Sequence, residues 1–192
     1  MKVIILIIRS YESQIIDLAN KERRARGLSP LQADSELTQV ARIKAQDMAG
    51  YQIPNHGSPT LGGDEFHQLR NANLSFSYNI GAANILWGSG KQFTPEEIIK
   101  SWMESTEGHR EAILDPNFTH VGVGYDYSPN ARNENSASMI LIGGRTPIQK
   151  PTPPTGWVQV GDTWYHYDSN GTWTGESWRD GKYYFSDGFS WE

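Results

Sequence analysis

The chain has 192 residues, a formal net charge of −5 and no cysteine, with 7 Trp, 9 Tyr and 6 Phe. That length is enough to bury a sizeable core. The missing thiols exclude a disulfide-stapled fold, a thiolate metal site and a cysteine nucleophile, and the acidic balance gives nucleic acid no electrostatic footprint. The rings are unevenly spread: residues 1–146 hold 11 and residues 147–192 hold the other 11, which predicts two differently built regions.

Met1-Lys2 is followed by an apolar run, Val3 to Ile8, and then Arg9-Ser10. The run is shorter than the apolar region of an ordinary signal peptide and has no small-residue cleavage site before Tyr11. It reads as the apolar start of the first helix, with a clipped or degenerate signal as the alternative for segment 1–12. No stretch of the sequence approaches transmembrane length. The absence of cysteine fits a cytosolic protein or one exported by an organism that does not rely on disulfides.

From Ser13 to Arg26 the pattern is helical, with Ile15, Ile16, Leu18 and Ala19 near one face, and Gly27 ends it as a left-handed cap residue would. Asp34 can cap a second helix carrying Leu37, Val40, Ala41, Lys44, Ala45 and Met48 at helical spacing. Lys44 alone breaks that stripe, and its stem can lie along it. Residues 51–63 are loop, and Asp64 to Asn71 is a short helix. Thr94-Pro95-Glu96-Glu97 has the form of a capping box with proline in the first turn, followed by Ile98, Ile99, Trp102 and Met103 as a buried face. A further short helix through Ile113 and Leu114 stops before Pro116. The period then changes to two: Val121, Val123 and Tyr125 alternate with Gly122, Gly124 and Asp126, and residues 137–142 form a second strand. The two strands make an antiparallel hairpin with a longish loop. Helices first and strands later predict an α+β layered domain. Thr146 to Thr155 holds four prolines and reads as an extended linker.

Three segments of the first region carry chemistry. Asn55-His56-Gly57-Ser58-Pro59-Thr60 puts a histidine in a loop, Gly108-His109-Arg110 puts a second where a short helix begins, and Asn117 to Gly124 enters the hairpin. Two imidazoles on loops can bind a divalent metal or move a proton near neutral pH, or they can be unrelated surface residues. Taken with Asn20, Glu22 and Arg23 before Gly27-Leu28, with Asn84-Ile85 and with the Trp102 helix, these segments resemble, in order, the CAP superfamily of cysteine-rich secretory, antigen 5 and pathogenesis-related proteins, in a cysteine-free bacterial form. The resemblance covers residues 13 to 145. It implies an α-β-α sandwich, usually secreted, with a cleft lined by two His and two acids. Here Ala82-Ala83-Asn84-Ile85 stands where the family usually reads Gly-Glu-Asn-Ile, so Ala83 replaces the first acid, and the second aligns with Glu104 or Ser105. A catalytic zinc normally has three protein ligands and a water. His56 and His109, with Glu104 as the candidate third ligand, therefore predict weak zinc or other divalent-metal binding, or none. Ser58, Ser105 and Thr106 supply hydroxyls but no nucleophile motif, which favours a binding protein over a cleft-based, peptidase-like hydrolase.

Residues 156–192 repeat a theme of aromatic strands and turns, the turns expected at Asn170-Gly171 and Asp187-Gly188, with a Trp157-to-Trp178 period of 21 residues, which reads as a solenoid of hairpins. From Pro147 on the local charge is −3, unlike a nucleic-acid stacking groove. Each ring taken singly reads as core of a tiny hairpin; together they read as a ligand surface of sugar-stacking faces or quaternary-ammonium cages. The segment resembles the choline- and glucan-binding repeats of Gram-positive surface proteins. That resemblance implies cell-wall choline or glycan as partner, contacted by Trp157, Trp164, Tyr165, Tyr167, Trp173, Trp178, Tyr183 and Tyr184. It implies an extracellular or wall-associated location. The expected organisation is an N-terminal segment 1–12, a CAP-like domain 13–146, a linker 147–155 and repeats 156–192. Barely two repeats are present, which leaves a minimal site, pairing with another molecule and a longer natural protein all open.

Overall fold

The computed structural model describes residues 2–51, 55–148, 155–170, 172–184 and 190–191, and of these the side chains of 2–10, 65, 66, 183, 190 and 191 fall outside the description. The chain separates into two compact units, residues 1–148 and 149–192. Most of the expected linker, the Asp187-Gly188 turn, Gly171 and the Tyr183 side chain lie outside the described residues.

The first unit contains α1 (Lys2–Arg24), β1 (Gln32–Ala33), α2 (Ser35–Gly50), α3 (Glu65–Asn71), β2 (Phe76–Ser77), β3 (Ile80–Gly88), α4 (Pro95–Glu104), α5 (His109–Leu114), β4 (His120–Tyr127), β5 (Asn135–Gly143) and β6 (Thr146–Pro147). The backbone of α1 is helical upstream of Ser13, through the apolar run. The caps are those the sequence calls for: Asp34 accepts from the amides of Glu36 at 2.9 Å and Leu37 at 3.1 Å, and the Thr94–Glu97 capping box is complete. Each satisfies amides that have no partner inside the helix.

One sheet runs β1-β4-β5-β3, with β1 parallel to β4 and the other pairs antiparallel. The central strand, β5, is buried along its whole length. Odd-numbered residues of β4 and β5 pack with α1, α4 and α5 around Ile15, Ile98, Trp102, Val123 and Met139. The opposite face packs on α2 and α3 through Leu37, Val40, Ala41, Leu69, Ile140 and Ile142. The result is an α+β, α-β-α sandwich. Gly122 and Gly124 explain how α2 sits so close to β4: a Cβ at Gly124 would lie 2.2 Å from the Ala41 carbonyl carbon, and one at Gly122 2.2 Å from that of Leu37. The glycines of the alternating pattern are a groove for a helix backbone. Pro147 pairs with Phe76 in the short β2–β6 ladder, so the first unit extends one residue beyond the expected start of the linker.

Of the α1 positions that carry the resemblance, Asn20 and Arg23 are joints, while Glu22 pairs with Arg26 at the surface. Asn20 exchanges two hydrogen bonds with the Leu31 backbone, at 2.7 and 3.0 Å. Arg23 is 1 % exposed and donates to the carbonyls of Ser29, Ile113, Asp115 and Phe118 at 2.7–3.2 Å. A buried guanidinium needs such full pairing, and even so burial lowers its pKa, with Asp115 opposing.

The second unit contains β7 (Gly156–Val160), β8 (Thr163–Tyr167), β9 (Trp173–Arg179), β10 (Lys182–Tyr184) and β11 (Ser190–Trp191) in a single antiparallel sheet whose order follows the sequence. It is a meander in which successive hairpins share strands, where a solenoid would stack separate ones. Asp180 and Gly181 both have positive φ, 53° and 75°, the conformation of a two-residue turn matched to strand twist. A bulge falls between Tyr165 and Tyr167.

Candidate functional site

The cleft is built at the β3 edge of the first unit's sheet, where α4 gives way to α5. Its wall is formed by Ile85, Trp87, Trp102, Ser105, Thr106 and His109 around about 540 Å³. Asn84, 1 % exposed, donates to the His109 carbonyl at 2.9 Å, and the Trp102 indole donates to the Ile85 carbonyl at 3.2 Å. These two bonds fasten α5 and α4 to the edge strand. Gly108, at φ 93°, makes the turn into α5. His109 then has its Nδ1 2.9 Å from the Ser105 hydroxyl, which also accepts the Glu107 amide at 3.1 Å.

His56 stands on the loop between α2 and α3, and the loop is held from below. Lys44 is fully buried. Its ammonium donates to the carbonyls of Asn55 and Gly57, the residues on either side of His56, at 2.5 Å for Gly57. Burial pushes the Lys44 pKa down to about 8, with Asp47 opposing. Asp47, one turn on, accepts from the Ser58 hydroxyl, and from the Thr60 hydroxyl at 2.6 Å. Gln68 of α3 donates to the His56 carbonyl at 2.9 Å, while its buried Oε1 has no partner among the described residues. The His56 pKa is lowered by desolvation, then by the Lys44 charge and by His109, with Asp64 opposing.

Ala83 shares the face of β3 that carries Gly81, Ile85 and Trp87, opposite Ile140 of β5. A methyl group stands there. Glu104 ends α4 on the cleft rim with its side chain 67 % exposed, 3.9 Å from Lys100. Among the described residues no three His, Asp or Glu side chains come together at metal-ligand spacing. Two imidazoles and a hydroxyl fall short of the three protein ligands of a catalytic zinc. The remaining histidines of this unit have local partners: His67 pairs with Asp64 at 2.8 Å, and His120 with the Thr119 hydroxyl at 2.8 Å. Ser58 is consumed by loop bonding to Asp47 and to the Leu61 amide.

The sequence pattern predicts Lys44 as a stem along an apolar stripe and assigns no part to Asp47 and Gln68. The available signal was a lysine in the middle of a core stripe, a residue type almost never fully buried unless paired.

In the second unit Trp157, Trp164, Trp173 and Trp178 are each 40–46 % exposed, so these rings are not core. Tyr165, Tyr167 and Tyr184 are half-buried. Trp164 lies directly across from Trp178. Trp157 packs on His166 at 5.0 Å between centroids, and His166 Nδ1 is 2.8 Å from a Glu176 oxygen. Tyr165 meets Trp173 edge-on at 6.1 Å, and the Trp173 indole donates to the Glu176 carbonyl at 2.9 Å.

The sequence pattern of the cysteine-rich secretory protein family, CAP, matches residues 16–142. The chain belongs to the CAP family. A second pattern, the cell wall binding repeat of choline-binding type, matches residues 155–172. Two Bacillus subtilis proteins are similar to this CAP chain. The uncharacterized protein YkwD is 46% identical over 118 residues, 62% of this chain and 43% of YkwD. The uncharacterized membrane protein YlbC is 32% identical over 123 residues, 60% of this chain and 31% of YlbC. The chain thus spans less than half the length of either. Among solved structures, an extracellular protein containing an SCP domain from Bacillus anthracis superposes with a TM-score of 0.58 at 26% identity, over 71% of this chain and 41% of that one. An outer surface protein of Borrelia burgdorferi shares the fold, with a TM-score of 0.54 at 17% identity over 69% of this chain and 90% of that one.

Proposed function

We propose that this CAP protein is an exported, envelope-associated bacterial binding protein, tethered to cell-wall choline or glycan by its aromatic sheet. The observation that carries the reading is the set of exposed tryptophans in the second unit, two of which, Trp157 and Trp164, lie in the segment 155–172 that matches a wall-binding repeat. Trp157, Trp164, Trp173 and Trp178 offer flat, incompletely buried rings on a small unit, the form that sugar rings and quaternary ammonium groups recognise. No described helix is long and apolar enough to cross a membrane, and an aromatic tether would hold the domain at the wall without one. The experiment compares retention of the full chain and of residues 1–148 on purified walls. Retention of the full chain alone supports the tether; equal retention of both would sink it.

The cleft, in this reading, binds its own ligand with little or no contribution from a divalent metal. Ala83 removes one carboxylate and Glu104 points to solvent, so His56 and His109 are left as the metal candidates and zinc binds weakly at most. A second reading is favoured by the Ser105–His109 pair: a cleft-based hydrolase that the tail delivers to wall peptide or glycan. A base must reach the group it activates, and His109 reaches Ser105. However, Ser105 is also tied as an acceptor to Glu107, the role of a helix-end cap. Turnover of purified wall that His56→Ala and His109→Ala abolish would establish the hydrolase; no turnover by the wild-type chain leaves binding.

A further inference from the structure

We propose that Lys44 is the positioning residue of His56, a built-in cation that clamps the cleft loop from beneath. The ammonium touches the carbonyls immediately before and after His56, those of Asn55 and Gly57. The Asn55 carbonyl lies in the peptide plane that leads into the histidine and the Gly57 carbonyl in the plane one residue beyond it, while Gln68 holds the His56 carbonyl in the plane between, so the backbone on both sides of the ring is anchored. Lys44 is fully buried, as are its helix neighbours Ala41, Ala45 and Met48. An ammonium is costly there unless its N–H groups are taken up, and a methionine would fill the stripe without that cost. The lysine therefore makes sense only with the loop in place.

The rest of the clamp shares the same helix. Asp47 holds Ser58 and Thr60, downstream of His56, and Gln68 reaches in from α3 to the His56 carbonyl. The charged and titratable groups around the loop are Lys44 and Asp47 on α2, His56 on the loop itself, Asp64 before α3, and His109 of α5. A fixed positive charge beneath His56 also disfavours a second cation beside it. This inference stands on the loop geometry and is independent of what the tail binds.

The test uses the full chain and nuclear magnetic resonance. Lys44→Met should leave the α2–β4 core amides protected and speed exchange of the described loop amides, 55 to 57, about tenfold or more. The His56 ring signals should shift, and their titration midpoint should rise toward the ordinary histidine value. A folded Lys44→Met protein with unchanged loop exchange and an unchanged His56 midpoint overturns the proposal. A second measurement needs no variant. In the wild-type chain the carbonyl carbons of Asn55 and Gly57 should move with pH at the midpoint of the Lys44 side chain. Carbonyl shifts that do not follow that midpoint overturn the proposal even if Lys44→Met fails to fold.

Discussion

Ser105 Oγ and His109 Nδ1 lie 2.9 Å apart across the turn between α4 and α5. In many histidine sites a carboxylate or carbonyl orients the ring; here a hydroxyl does. That hydroxyl also accepts the Glu107 amide; with its own proton turned to His109, Nδ1 is the acceptor and the other ring nitrogen carries the proton in the neutral form.

Ser105→Ala should therefore mix the two neutral tautomers of His109. Nitrogen-15 spectra of the imidazole read this directly, and Ser105→Thr should restore the wild-type pattern. The stability change is expected to stay within about 1 kcal/mol, since the lost bonds are at a partly exposed helix end.

Zinc titration by calorimetry should show no site tighter than micromolar in the wild-type chain. Ala83→Glu should strengthen binding about tenfold or more by returning a carboxylate to the β3 face, and His56→Ala in that background should remove the gain. Tight wild-type binding that disappears in His56→Ala would contradict the donor set read from the geometry.

Gly124→Ala tests the approach of α2 to β4. The added methyl carbon would overlap the Ala41 carbonyl, and backbone cannot step aside as a side chain can. A loss of about 3 kcal/mol is expected, at the upper end of ordinary overpacking costs, seen as a lower midpoint in denaturant.

The pH dependence of stability separates three kinds of group. The folded Lys44 has a pKa of about 8 against about 10.4 unfolded, so between those values the unfolded chain binds more protons and stability rises with pH. The neutral amine keeps two N–H donors for the two carbonyls, so the clamp survives the titration. Tyr125, whose pKa burial raises well above the ordinary tyrosine value, acts oppositely: above about pH 10 the unfolded chain ionises first and stability falls. His56 and His120 both have lowered pKa values, chiefly from desolvation, and stability should fall as pH drops below about 6.5. Denaturation midpoints measured from pH 5 to 11 should show these slopes, and Lys44→Met should remove the rise above pH 8.

Much of this fold is legible because local chemistry and tertiary position agree. Asp34, and Thr94 with Glu97, announce helix starts that the structure uses, and the alternation from Val121 to Tyr125 is a strand packed on its odd face. β3 is not legible in the same way. Ile80 to Gly88 has small residues, glycines at its second and last positions and no clean period; it is a strand because β5 pairs with it residue for residue. That strand carries Ala83 and Asn84, so half of the cleft depends on a long-range pairing. Lys44 is hidden for a similar reason, since its partners are carbonyls that only the folded loop brings beneath His56. In the tail, a turn is written in Asp180 and Gly181, but the exposure of the tryptophans depends on the strand pairing that sets which face each ring takes.

If the exposed tryptophans hold this protein to the wall, removing their rings should release it. The direct measurement is equilibrium co-sedimentation of the full chain with purified cell wall, wild type against the combined Trp157→Ala, Trp164→Ala, Trp178→Ala variant, with circular dichroism to show that the first unit stays folded. At least tenfold weaker wall binding by the variant is the predicted result; unchanged binding would contradict the account.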